Sequence, residues 1–187
     1  MNKFLLLIIS FLLVSCAPKA KEIDQKLSRA IYDNSKLASG TLEFVLPGSW
    51  QETAVTKPMR LRQFVIDPIS QTELAVFYFE NMQGTVQENI DRWVNQFESA
   101  NRKLIKQEAF NIANIPITVF YMTGTYLHSP NPMDVNSPKT PLADHSMYAI
   151  IAETASGTWF LKSYGPSKVI GNQESNFDKL VNSFVLR

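Results

Sequence analysis

Leu74-Ala75-Val76-Phe77-Tyr78-Phe79 is apolar at six successive positions, and this run restricts the chain to few architectures. Successive side chains of a strand point to opposite faces, so a half-buried strand alternates apolar and polar residues. A strand without alternation needs cover on both faces, as at the centre of a sheet held between two layers. The first covering element follows directly. Thr85-Val86-Gln87-Glu88 has the form of a capping box, with Thr85 as N-cap and Glu88 reaching back from the third helical position. Val86, Ile90, Trp93, Val94 and Phe97 then recur at helical spacing and predict an amphipathic helix. Glu88 and Arg92 stand four apart in the favourable order.

Other segments complete the pattern. Leu42 to Leu46 alternates into Pro47-Gly48 and predicts a strand and a turn. Met59 to Asp67 predicts a second strand, closed by Pro68. A strand is expected within Asn101 to Asn114, and a long one from Ile117 to Tyr126. Met147–Glu153 and Thr158–Tyr164 predict a hairpin joined by Thr154-Ala155-Ser156-Gly157, with Gly157 free to take a positive φ. Gly165-Pro166 ends that strand and opens a final helix, whose apolar stripe is Phe177, Leu180, Val181 and Phe184. Few strands are separated by long connections, so most pairs should be antiparallel. The expectation is an α+β sandwich over residues 41–187, with a curved, mostly antiparallel sheet between helices. Trp50, Trp93 and Trp159 are expected in its core.

The amino terminus carries a different signal. Met1-Asn2-Lys3 is followed by the eleven-residue run FLLLIISFLLV, a charged n-region and a short apolar h-region of a secretory signal. Such a run is too short to span a hydrocarbon core of roughly 30 Å. It ends at Leu13-Val14-Ser15-Cys16, which resembles a bacterial lipobox: an aliphatic residue, a small residue, then cysteine. The resemblance implies that residues 1–15 are a lipoprotein signal peptide removed before Cys16. It further implies that the Cys16 thiol carries a diacylglycerol and that the new amino group takes a palmitate-type acyl chain. Several chains together make a firm anchor, each buried CH₂ adding about 0.8 kcal/mol. Ala17, where an inner-membrane retention signal has Asp, favours the outer membrane, with the domain facing the periplasm. Residues 16–40 are read as the lipidated cysteine and a spacer. Ile23, Leu27, Ala30 and Ile31 at helical spacing leave a short helix open there.

Charge and composition exclude several functions. The chain has 18 basic and 17 acidic residues, and loss of the first fifteen residues, with Lys3, leaves it neutral. Nucleic-acid binding needs a basic excess gathered on one face, so nucleic acid is not an expected partner. A single cysteine excludes internal disulfides and cysteine-built zinc sites. No G-x-S-x-G elbow is present, and seven scattered glycines form no phosphate-binding loop. Paired carboxylates of the glycosidase type remain open among the acidic residues.

Two sets of residues qualify as candidate sites. His128, Asp134, Asp144 and His145 lie in or beside HSPNPMDVNSPKTPLADH, an 18-residue stretch holding four of the ten prolines. Long loops of this kind are often functional. Two imidazoles and two carboxylates suit a mixed nitrogen/oxygen metal site, although the spacing follows no standard ligand pattern. Adjacent Asp144 and His145 would also point to opposite faces of a strand. Arg60 and Arg62 are expected on one face of the Met59–Asp67 strand, where they could clamp an anion.

Met59-Arg60-Leu61, Glu73–Tyr78, Val86–Phe97, Val119–Tyr126, Gly157-Thr158-Trp159-Phe160 and Gly165-Pro166 together resemble the PsbP/Mog-like domain family, particularly its uncharacterised bacterial members. The resemblance covers residues 41–187 and implies an α/β/α sandwich. The family's roles are non-enzymatic, as extrinsic photosystem II subunits and as a factor binding a nuclear-transport GTPase, and no functional motif maps onto this chain. The expected function is a non-catalytic, membrane-anchored envelope lipoprotein that docks or assists another envelope protein, without a cofactor beyond its lipid. The alternative is a lipoprotein that binds a small ligand or metal through the 128–145 loop, with hydrolysis as an extension of that role.

Overall fold

The computed structural model describes residues 40–80, 85–131, 134 and 136–187. Its strands are β1 (Leu42–Glu43), β2 (Gln51–Thr53), β3 (Arg62–Asp67), β4 (Thr72–Phe79), β5 (Lys103–Ile112), β6 (Ile115–His128), β7 (Thr140–Thr154), β8 (Gly157–Pro166) and β9 (Val185–Leu186). Its helices are α1 (Val86–Val94), α2 (Ser167–Asn172) and α3 (Glu174–Asn182). Seven strands form one antiparallel sheet in the order β2-β3-β4-β8-β7-β6-β5, and β1 pairs separately with β9. The expected α+β architecture is the one observed, with the sheet between helices.

The two faces of the sheet hold two separate cores, which explains the non-alternating strands. Leu74 and Val76 of β4, Tyr148 and Ile150 of β7, and Leu161 of β8 face the helices α2 and α3, where Ile170, Phe177 and Leu180 meet them. Their sequence neighbours Met147, Ala149, Ile151 and Phe160 face α1 and pack against Ile90 and Trp93. The Trp93 ring sits 5.9 Å from that of Phe120 and 6.2 Å from that of Phe160. All three tryptophans are buried, as expected.

Helix α1 starts where the sequence says. The Thr85 side chain accepts from the Glu88 backbone N–H at 3.2 Å, and the Glu88 carboxylate accepts from the Thr85 N–H at 2.6 Å. Its end differs from the apolar stripe, which continues to Phe97. The helix stops at Val94, and Phe97 forms a bridge to Tyr126. Glu98 N–H donates to Thr125 O and Leu127 N–H to Gln96 O. Pairing with β6 thus replaces one further helical turn.

Other boundaries are corrected for similar reasons. The Leu42–Leu46 strand shrinks to the two residues that find β9. The expected Met59–Asp67 strand begins at Arg62, because Met59 adopts φ 66° and turns the chain. The last helix is two short ones, interrupted at Gln173, and Pro166 occupies the N-cap position of the first without a side-chain capping bond. The 128–145 segment is not one loop. His128 ends β6, Thr140 starts β7, and the two pair in register as far as this rim, leaving only residues 129–139 between strands. Pro141 is tolerated there because β7 has run past the end of β8, whose last pair is Pro166 with His145, and so has one neighbour.

Gly157 completes the β7–β8 hairpin with φ 153°. A Cβ there would lie 2.5 Å from Phe79 O, so the position needs glycine for both conformation and space.

Candidate functional site

Leu13, Val14, Ser15 and Cys16, the residues of the expected lipidation signal, lie outside the described residues, as do residues 16–39 of the expected 16–40 spacer. Of the remaining candidates, Arg60 and Arg62 do not form an anion clamp. Arg62 points to the face of Phe64, its guanidinium 4.9 Å from that ring and 5.0 Å from the Phe44 ring. Both ends of its fork are taken by Glu52, at 2.7 and 2.8 Å. That hydrogen-bonded pair lowers the Glu52 carboxyl and raises the Arg62 guanidinium relative to their ordinary values. Arg60 precedes the strand and turns to the opposite face. Its buried side chain donates to Glu73 at 2.8 Å and also to Gln63 Oε1, while Gln63 donates to Glu73 at 2.8 Å. The break at Met59 is what separates the two arginines.

The four proposed metal ligands are likewise not gathered. His145 pairs in register with Gly124, and His128 lies four residues further along β6, roughly 13 Å away at 3.3 Å per residue. Half-buried His128 places Nδ1 3.4 Å from the Tyr164 hydroxyl. His145 Nδ1 lies 2.7 Å from Ala143 O. Asp134 accepts from the Asn136 N–H at 2.9 Å, and exposed Asp144 takes φ 52° opposite the Gly124–Tyr126 bulge. Among the described residues, no group of three or more His, Cys, Asp or Glu side chains is placed to hold a metal ion.

Two features stand out instead. The first is the sheet edge. Strand β5 is ten residues long and pairs only with β6, and its outer side has no strand beside it among the described residues. Leu104, Ile105 and Phe110 are 48%, 44% and 38% exposed along it, between Lys103, Lys106 and Glu108. A shallow cleft of about 50 Å³ adjoins this edge where it meets α3, lined by Lys106, Glu108, Phe110, Tyr148 and Asp178. Lys106 donates to Glu174 at 2.9 Å, which raises its ammonium above the ordinary value. The cleft is far below the roughly 300–1,000 Å³ of a drug-sized site, so the strand edge offers the larger contact surface.

The second feature is a lysine on the α1 face of the sheet. Lys162 of β8 lies between Ala75 and Ala149 of the neighbouring strands, and these small side chains leave room for its stem. Its Nζ donates to Gln96 Oε1 at 2.7 Å and stands 5.9 Å from the Trp93 ring centroid. Burial, with a smaller contribution from the Arg92 guanidinium, depresses its ammonium to about 7. The sequence signal for this residue is a single charged side chain inside GTWFLKSYGP, a strand otherwise without charge. Nothing local in that motif says where the ammonium ends up. Glu153, also on the α1 face of the sheet, is buried near the β7–β8 turn, and burial raises its carboxyl to about 7.

Comparison with known proteins defines the fold and goes no further. No protein-family model matches the chain, and no curated protein does. Among solved structures, this chain is similar to cyanobacterial PsbP (CyanoP) from Synechocystis sp. PCC 6803. Identity is 17%, the TM-score is 0.51, and the match covers 78% of this chain and 86% of that one. LpqN of Mycobacterium tuberculosis, involved in cell envelope biogenesis, aligns with 8% identity over 80% of this chain and 84% of its own, at a TM-score of 0.49. A Pseudomonas aeruginosa protein of unknown function, a putative regulator, aligns with 8% identity over 80% and 85%, at a TM-score of 0.44. These last two likenesses are looser. Two cores on the faces of one antiparallel sheet, matched to CyanoP over 78% of this chain, make a PsbP-like fold.

Proposed function

We propose that the protein is a non-catalytic accessory module of the bacterial cell envelope, tethered to a membrane by acyl chains on Cys16. It docks an envelope partner along strand β5. The observation that carries this reading is the asymmetry of the sheet: one edge is the three-residue strand β2, the other is the ten-residue β5 with exposed Leu104, Ile105 and Phe110. Proteins usually shorten or cover a sheet edge, because its free N–H and C=O groups pair with any extended chain. A long edge with no strand beside it among the described residues suits a partner that adds a strand, with backbone hydrogen bonds giving affinity and alternate side chains giving specificity.

The anchor works by position. Acyl chains confine the domain near the bilayer and raise its effective concentration for partners held there. The lipobox-like Leu13-Val14-Ser15-Cys16 supports the anchor, and Ala17 supports the outer membrane as its site.

A photoreactive amino acid at Gln107, on β5, tests the docking surface in cells. The same probe at Ile69, 94% exposed in the β3–β4 turn, serves as control. Adducts of defined mass at Gln107 and none at Ile69 are expected. Equal labelling at both positions, or none at Gln107, rejects the edge as the contact surface. Cys16→Ser is expected to shift the protein from the membrane to the aqueous fraction, and unchanged fractionation rejects the lipid anchor.

A further inference from the structure

We infer that strand β5 takes a second copy of this chain as its added strand, the two β5 strands pairing antiparallel about Gln107. The inference rests on the docking edge proposed above and names what docks there. Its first support is the hydrogen-bonding order of the strand. Ile112 pairs with Ile115 across the two-residue turn Ala113-Asn114, both turn residues at positive φ, 48° and 65°. The carbonyl and N–H that close such a turn make Ile112 and Ile115 a bonded pair. Bonded and open positions alternate along antiparallel strands. Phe110, Glu108 and Lys106 therefore direct their backbone groups to β6, at Ile117, Val119 and Tyr121. Asn111, Ala109 and Gln107 turn theirs outward, to a side with no strand among the described residues. This stretch is regular, because the shift in register lies at its far end, between Leu104 and Lys106.

Side chains then select the register. A two-fold pairing sets each residue opposite its counterpart across the centre, so every contact occurs twice. Centred on Lys106 or on Glu108, the strands put like charges face to face, which is destabilising. Centred on Ala109, they put Lys106 against Ile112 and Glu108 against Phe110. Centred on Gln107, they place Lys106 of each copy opposite Glu108 of the other, two pairs of opposite charge. Glu174 holds the Lys106 ammonium at this edge at 2.9 Å, and exposed Glu108 lines the same cleft. The same register carries Leu104 and Ile105 toward Ala109 and Phe110 of the second copy. Exposed apolar side chains at the two ends of the strand thus cover one another.

Oxidative cross-linking of the full chain in a nonionic detergent tests the pairing. Opposed Gln107 residues have Cα atoms about 5.5 Å apart, within disulfide range. Gln107→Cys is expected to give a covalent dimer under mild oxidation. Asn111→Cys is expected to give none, because its two copies lie roughly 26 Å apart in this register. The natural chain, with Cys16 alone, provides the background. Adding Glu108→Lys to Gln107→Cys is expected to cut the dimer yield roughly tenfold, as two pairs change from attraction to repulsion. Glu108 is exposed, so this change tests pairing rather than folding. Equal dimer from Gln107→Cys and Asn111→Cys, a yield indifferent to Glu108→Lys, or no dimer at all overturns the self-pairing. Photo-adducts of another mass at Gln107, without a dimer, overturn only the second copy and leave the docking edge standing. Absence of both adduct and dimer rejects the edge as well.

Discussion

The ring of Tyr148 lies flat on the ring of Phe177, with centroids 4.2 Å apart and planes within 6°. Tyr148 comes from β7 in the sheet interior and Phe177 from α3, and both are fully buried. The Trp50 ring meets Phe177 edge-on at 5.1 Å, so a single helix side chain joins the sheet to the segment leading into β2. Phe177→Ala should therefore lower stability by about 3–5 kcal/mol, as for other buried phenylalanines. Urea unfolding should show a lower midpoint at an unchanged slope. A loss below about 1 kcal/mol would mean that α3 is not fastened through this ring.

Thr85 and Glu88 satisfy each other's backbone donors at the start of α1. Thr85→Ala should cost about 1 kcal/mol, and Thr85→Ser much less, since serine keeps the accepting oxygen. Equal losses for the two variants in thermal unfolding would show that the methyl group matters rather than the cap.

Gly157 and Gly48 provide an internal comparison. A Cβ on Gly157 meets Phe79 O at 2.5 Å and the Tyr78 ring at 2.7 Å, with φ at 153°, whereas a Cβ on Gly48 meets nothing within 4 Å. Gly157→Ala should be destabilising by more than about 1 kcal/mol and Gly48→Ala close to neutral. Parallel denaturant curves read the contrast, and similar midpoints for the two variants would contradict the tight β7–β8 turn.

Burial raises the Glu153 carboxyl to about 7, against 4.5 for the ordinary side chain. Between these values the folded chain holds a proton that the unfolded chain has released. The Glu153 contribution to stability should consequently fall as pH rises from about 4.5 to about 7 and level off above. Glu153→Gln should flatten this slope. Denaturation midpoints measured every half pH unit will show whether the two curves converge at low pH, as this requires.

Lys162 acts in the opposite sense. Its ammonium is depressed to about 7 from 10.5, so above about 7 the unfolded chain carries the extra proton and stability should rise toward pH 10.5. Lys162→Met should remove that rise and leave the protein more stable at neutral pH. A pH profile identical to wild type would place the ammonium in water.

Patterns that repeat along the chain were legible in the sequence. The two-sided burial of Leu74–Phe79, the capping box at Thr85 and the turn at Gly157 all appear in the structure where the residues place them. Each depends on chemistry within a few residues: strand alternation, a hydroxyl three positions from a carboxylate, a residue without Cβ. The sandwich follows from them, because a strand that is apolar on both sides must be covered twice.

Contacts between distant segments decided the rest. Val94 ends α1, although the apolar stripe runs on to Phe97, because β6 offers residues 96–98 a pairing edge. Arg60 and Arg62 part company because Met59 turns the chain before β3 begins. His128 and His145 stay apart because strand register, not loop closure, fixes their places. Lys162 loses its water because α1 and two alanines from other strands close around it, and β5 becomes the exposed edge only through the strand order. A sequence records its own periodicity and caps directly; register, strand order and the company a charge keeps arise from backbone pairing across scores of residues, which no local motif specifies.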